Sequence, residues 1–123
     1  MPDSFLAGRL RSIRTALSGL IKLFRTEPNM QVHLIAALLV TALGFYVQIN
    51  ATEWALQCLA IGLVIGLEAI NTAIEELANK VESRIDNQIK RVKDFAAGGV
   101  VFAAFISALI GLLIYGPRLL LLF

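Results

Sequence analysis

Apolar positions fall into one helical stripe followed by three nearly unbroken runs. Phe5, Leu6, Leu10, Ile13, Leu17, Leu20, Ile21 and Phe24 recur at helical spacing, with Arg9, Arg11, Arg14, Lys22 and Arg25 largely on the other side. This pattern predicts an amphipathic helix over residues 4–26, N-capped by Ser4 and lying on a membrane surface with its cations toward anionic headgroups. Pro28, in Glu27-Pro28-Asn29, breaks or restarts the chain. The apolar runs then predict spans over residues 32–49, 54–81 and 94–115. Each is long enough to cross a hydrocarbon core of about 30 Å with some tilt. Asn50-Ala51-Thr52-Glu53 reads as a tight turn, residues 82–92 as a polar connection, and Pro117 as the end of the third span. The expected fold is an all-α membrane protein, a surface helix plus three transmembrane helices.

Composition agrees. The chain has 123 residues, 58% of them hydrophobic, and a mean hydropathy of +0.76, well outside the range of an ordinary soluble domain. The length suits a single unit, 1–123, with no linker, repeat or low-complexity tract. No cleavable signal peptide is expected, because no apolar core with a small-residue cleavage site follows the basic N-terminus. Cys58, the lone cysteine, reads as a packing residue. Lysines and arginines cluster before the first span and between the second and third, while the first turn has none and only Arg118 follows the last span. The positive-inside rule therefore puts the N-terminus in the cytoplasm and the C-terminus outside. Gly62 and Gly66 form a G-x-x-x-G pattern, and Ala96, Ala97, Gly98, Gly99, Ala103 and Ala104 line the third span. Such small residues predict close helix packing, within one chain or between chains.

The chemistry concentrates in the middle span. Residues 68–75 read Glu-Ala-Ile-Asn-Thr-Ala-Ile-Glu. A carboxylate at the centre of a membrane helix costs roughly 2.5–3.5 kcal/mol, so an acid there is a functional-site candidate. Glu68, Asn71 and Glu75 stand at i, i+3 and i+7, on one helix face. With Trp54 at the outer interface, Glu68 lies about 21 Å across and Glu75 about 31 Å across. Glu68 would then lie inside the hydrocarbon edge and Glu75 at the water boundary.

No phosphate loop, kinase glycine loop or Cys/His zinc cluster is present, and nothing near His33, the single histidine, supports a triad. His33 reads as structural. What remains is Glu27, Glu68, Glu75 and Asp94 with Asn71 and Lys93. Hard oxygen ligands suit Mg²⁺ with substrate phosphates, a lysine can meet a phosphate, and a carboxylate at a low-dielectric edge suits a general base. Together they are the minimum for phosphoryl transfer. Blander readings stand beside these. Glu75 and Glu76 could be a solvated helix end, Lys93-Asp94 a surface pair, Glu27 a loop carboxylate and Asn71 an interhelical hydrogen-bond contact.

These motifs resemble the prokaryotic diacylglycerol kinase family of small membrane lipid kinases, which includes undecaprenol kinases. The resemblance spans residues 9–115 and rests on three blocks: Glu68 to Glu75 as E-x-x-N-[ST]-A-I-E, the Lys93-Asp94 pair, and Glu27-Pro28-Asn29 with His33. The last block is closer to the undecaprenol kinase branch. The resemblance implies a homotrimer with active sites shared between chains at the cytoplasmic interface. It implies Glu68 as general base on the lipid hydroxyl, Glu27 and Glu75 on Mg²⁺ with the ATP phosphates, Asn71 positioning the reacting groups, Lys93 on phosphate and Asp94 on the nucleotide. Asn79 stands where many relatives have aspartate, with Glu76 or Glu82 as conceivable substitutes. Thr15 and Ala16 replace an aromatic and a serine of some relatives. The expected reaction moves the γ-phosphoryl of MgATP to diacylglycerol or undecaprenol, with no nucleic-acid partner. The competing readings are a non-catalytic oligomer (a small pore or scaffold) and a proton-driven exporter.

Overall fold

A computed structural model describes residues 4–122, and these form four helices: α1 (Phe5–Thr26), α2 (Pro28–Val47), α3 (Ala51–Val81) and α4 (Asn87–Leu122). The last three are long and apolar enough to cross a membrane. At 1.5 Å per residue α2 spans about 30 Å, whereas α3 and α4 reach about 46 and 54 Å and outrun the hydrocarbon core.

Local signals explain most of the boundaries. Ser4 caps α1 by accepting from the Ala7 N–H at 3.1 Å. Pro28 takes the first position of α2, where its missing N–H costs nothing. Helix α2 therefore starts four residues before the predicted span, and it closes at Gln48 in a left-handed conformation (φ 57°).

The predicted tight turn at residues 50–53 is corrected. Asn50 is the N-cap of α3 in a reciprocal capping box: its side chain accepts from the Glu53 N–H at 2.9 Å, and the Glu53 carboxylate accepts from the Asn50 N–H at 3.0 Å. The predicted 82–92 connection is corrected too. Asp86 accepts from the N–H groups of Gln88 (2.9 Å) and Ile89 (3.0 Å), so α4 begins at Asn87 and only residues 82–86 lie between the helices. Pro117 does not end α4, which runs on to Leu122. Arg118 donates to the Ile114 carbonyl at 3.2 Å and ion-pairs with Glu53, holding the turn around the proline in register.

Packing is closest between α3 and α4, with α2 against α3. The buried core is small: Ala60, Val64, Val100 and Ala103 in the middle, Ile49, Ile114 and Tyr115 at the end that carries the α2–α3 turn, and Met30 and Ala78 toward the other. Gly44 belongs to this second cluster. A Cβ there would lie 2.8 Å from the Trp54 ring and 3.0 Å from the Tyr115 hydroxyl, so only glycine permits the approach. Leu38, Leu39, Phe102, Phe105, Leu112 and Leu113 point outward and exposed. A soluble monomer does not leave that much apolar surface uncovered, whereas lipid covers it at no cost. Gly62, Gly66, Gly98 and Gly99 face nothing within the chain, whereas Ala103 is buried, so only part of the small-residue stripe serves packing within one chain.

Candidate active site on the middle helix

Helix α3 carries the buried polar groups of the bundle. Glu68 is 3% exposed and Asn71 is 5% exposed, with Thr72 beside them. Their burial follows from the i, i+3, i+4 spacing, which turns all three toward the bundle while Ile70 and Leu77 face out. The Thr72 hydroxyl donates to the Glu68 carbonyl at 3.0 Å, so it satisfies itself on the helix and leaves the carboxylate alone.

The partner of that carboxylate comes from α2. His33 Nε2 stands 3.5 Å from Glu68 Oε2. This is ion-pair range rather than a short hydrogen bond, and an imidazolium there would offset much of the cost of a buried acid. Reading the sequence missed this role. Thirty-five positions separate the two residues, and the only hint was that His33 shares a block with Glu27. Asn71 Oδ1 is the one buried side-chain polar atom without a hydrogen-bond partner among the described residues. Buried amides are nearly always satisfied, and leaving one unpaired costs about 1–3 kcal/mol.

Glu27 sits at the α1–α2 junction. Its backbone N–H donates to Leu23 O at 2.9 Å, and its carboxylate makes no cap to α2. The acid instead lines a cleft of about 470 Å³ between α1 and α3, which it shares with Lys22, Thr72 and Glu76. Glu75, one residue earlier, is half-buried and does not line that cleft. Among the described residues no three His, Cys, Asp or Glu side chains gather at metal-binding distance.

The second predicted block is occupied otherwise than expected. Lys93 donates to Asn79 Oδ1, tying the start of α4 to the end of α3. Asn79 thus holds the lysine as a neutral acceptor. Asp94 pairs with Lys90 at 2.7 Å, one turn away. Glu82 is engaged by Arg84, through Nε at 3.1 Å and the backbone N–H at 3.0 Å, and does not stand in for an acid at position 79. These bonds hold the Glu82 carboxyl below the usual carboxylate range, the Arg84 side chain contributing most. One chain therefore brings together Glu68, Asn71 and His33, and separately Glu27 and Glu76. Lys93 and Asp94 make their contacts with Asn79 and Lys90.

Fold and site together define a class: a small polytopic α-helical membrane protein whose middle helix buries an acid beside a histidine. Residues 14–115 match the sequence model of the prokaryotic diacylglycerol kinase family. An undecaprenol kinase from Bacillus subtilis is 42% identical over 101 residues, covering 82% of each chain. A diacylglycerol kinase from Synechocystis sp. is 30% identical over 112 residues, covering 90% of this chain and 64% of that protein. The chain belongs to the prokaryotic diacylglycerol kinase family and is a membrane lipid kinase, an enzyme that phosphorylates the hydroxyl of a lipid alcohol.

Proposed function

We propose that the chain transfers the γ-phosphoryl group of ATP to undecaprenol, with diacylglycerol as the other acceptor to be tested. The greater similarity to the Bacillus subtilis undecaprenol kinase favours the polyprenol. The observation that carries the chemistry is the burial of Glu68 next to His33, one turn from the unpaired Asn71 amide oxygen. In this reading Glu68 takes the proton from the lipid hydroxyl as its oxygen attacks the γ-phosphorus, and ADP leaves. Asn71 donates or accepts at the reacting groups, Lys93 meets phosphate by exchanging its bond to Asn79, and Asp94 contacts the nucleotide.

Mg²⁺ is commonly held by one or two carboxylates and keeps much of its shell for water and substrate phosphates. Glu27 and Glu75 would hold it, and its charge would neutralise the phosphates as charge develops. The outward-facing glycines of α3 and α4, and the small amount of core in one chain, favour a homotrimer that completes the site between protomers. Cation placement favours a bacterial inner membrane with the N-terminus cytoplasmic and the C-terminus outside. The exposed Leu10, Ile13, Leu17 and Ile21 of α1 favour a helix lying on the inner leaflet.

The test is the purified protein in lipid micelles with labelled MgATP and each alcohol in parallel. Label should enter undecaprenol faster than diacylglycerol. Label in neither, with an active control kinase, would sink the proposal.

A further inference from the structure

A second cleft, of about 270 Å³, runs inside the bundle between α2, α3 and α4. Its head is His33, beside Glu68, and its far end is closed by Gln57 and Tyr115. Its walls are mostly apolar, with Ile61, Ile65 and Ile110 beside the smaller Ala37 and Ala104. We propose that this cleft holds the first ten or so carbons of a single hydrocarbon tail belonging to the acceptor alcohol, with the hydroxyl at Glu68. The inference rests on the lipid-alcohol reading above and adds where the tail goes and how many tails fit.

Size and polarity select the occupant. A 150 Å³ apolar cavity takes benzene, so about 270 Å³ takes on the order of ten or eleven carbons. The cleft extends over Gln57 to Ile65 on α3, which is about 12 Å of helix axis. An all-trans hydrocarbon advances about 1.3 Å per bond, from C–C bonds of roughly 1.5 Å, so ten carbons reach roughly 11 Å.

A helix from a neighbouring protomer does not fit. One turn, about 10 Å across and 5.4 Å tall, needs more than about 400 Å³. Water is a poor occupant because the polar groups at the far end are already paired. The single Tyr115 hydroxyl proton has the Gln57 amide oxygen and the Val40 carbonyl (3.0 Å) as its two acceptors in reach, and Gln57 Nε2 donates to the same carbonyl at 3.4 Å. One tail fills the space, and two tails do not fit. The cleft therefore selects single-chain alcohols such as prenols, whose later carbons pass out into lipid.

The single tryptophan reports on the far end, since Trp54 packs against the cluster of Ile49, Ile114 and Tyr115. Full-length protein in phosphatidylcholine vesicles would be given straight-chain alcohols of four to twelve carbons, with rates normalised to bilayer concentration. Efficiency should rise at least tenfold up to about ten carbons and then level off. Ten-carbon alcohol brominated at its far end should quench Trp54, and five-carbon alcohol brominated at its far end should not. Ala37→Leu and Ala104→Leu, on opposite walls, should each shift the optimum about three carbons shorter and at least halve the quenching.

An unchanged length profile and unchanged quenching in both filled variants would overturn the proposal. The expected quenching pattern with no phosphate transfer to any alcohol would refute the kinase reading, while the single-tail site would stand.

Discussion

Asn71 separates the two duties a buried polar residue can have. If its amide served the fold, its Oδ1 would have a partner within the chain, and it has none. Asn71→Leu should therefore leave thermal stability unchanged or slightly raised, because an unpaired buried acceptor is removed. Phosphoryl transfer should fall at least a hundredfold. Parallel melting and activity measurements on the same preparation check both halves. Glu68→Gln keeps shape and removes the proton acceptor, so turnover should drop by about 10² to 10⁴ with assembly intact by size-exclusion chromatography. Retained turnover would reassign the base. At this scale the sequence showed Glu68 and Asn71 clearly, because an acid and an amide in an apolar run stand out against their neighbours. It did not show that His33 faces Glu68, a contact created only when α2 packs on α3.

The helices themselves were legible from apolar runs, and their ends less so. Asn50 with Glu53 is a capping-box pair, but its polarity beside two spans reads equally as a turn. Residues 87–93 are polar enough to pass for a loop, yet Asp86 caps them into a helix that continues into the third span. The five-residue connection that results is held by Glu82 and Arg84. Because the Glu82 carboxyl is held low in the folded chain, its contribution is fully present above the unfolded value of about 4.3 and fades as pH falls through the lowered folded value. Hydrogen-exchange protection at residues 82–86, corrected for the intrinsic pH dependence of exchange, should hold down to about pH 4.3 and decline below it. Glu82→Gln should exchange faster at neutral pH and lose this acid dependence.

Across the whole molecule the two ends are built differently. The end carrying the α2–α3 turn has the Gly44 approach, the Gln57–Tyr115–Val40 hydrogen bonds and the Glu53–Arg118 pair. Gly44→Ala pushes a methyl into Trp54 and Tyr115 and should cost about 1–3 kcal/mol, read as a lower melting temperature. Protein that still folds should keep nearly normal turnover, because Glu68 lies about 21 Å along the α3 axis from Trp54. The opposite end holds α1 by few contacts and leaves Glu27 and Glu76 lining an open cleft. One pole is thus fastened by hydrogen bonds and an ion pair across α2, α3 and α4, while at the other Lys93 joins α4 to α3 and the carboxylates stand beside an open cleft, so one long helix carries its brace at one end and its acids toward the other.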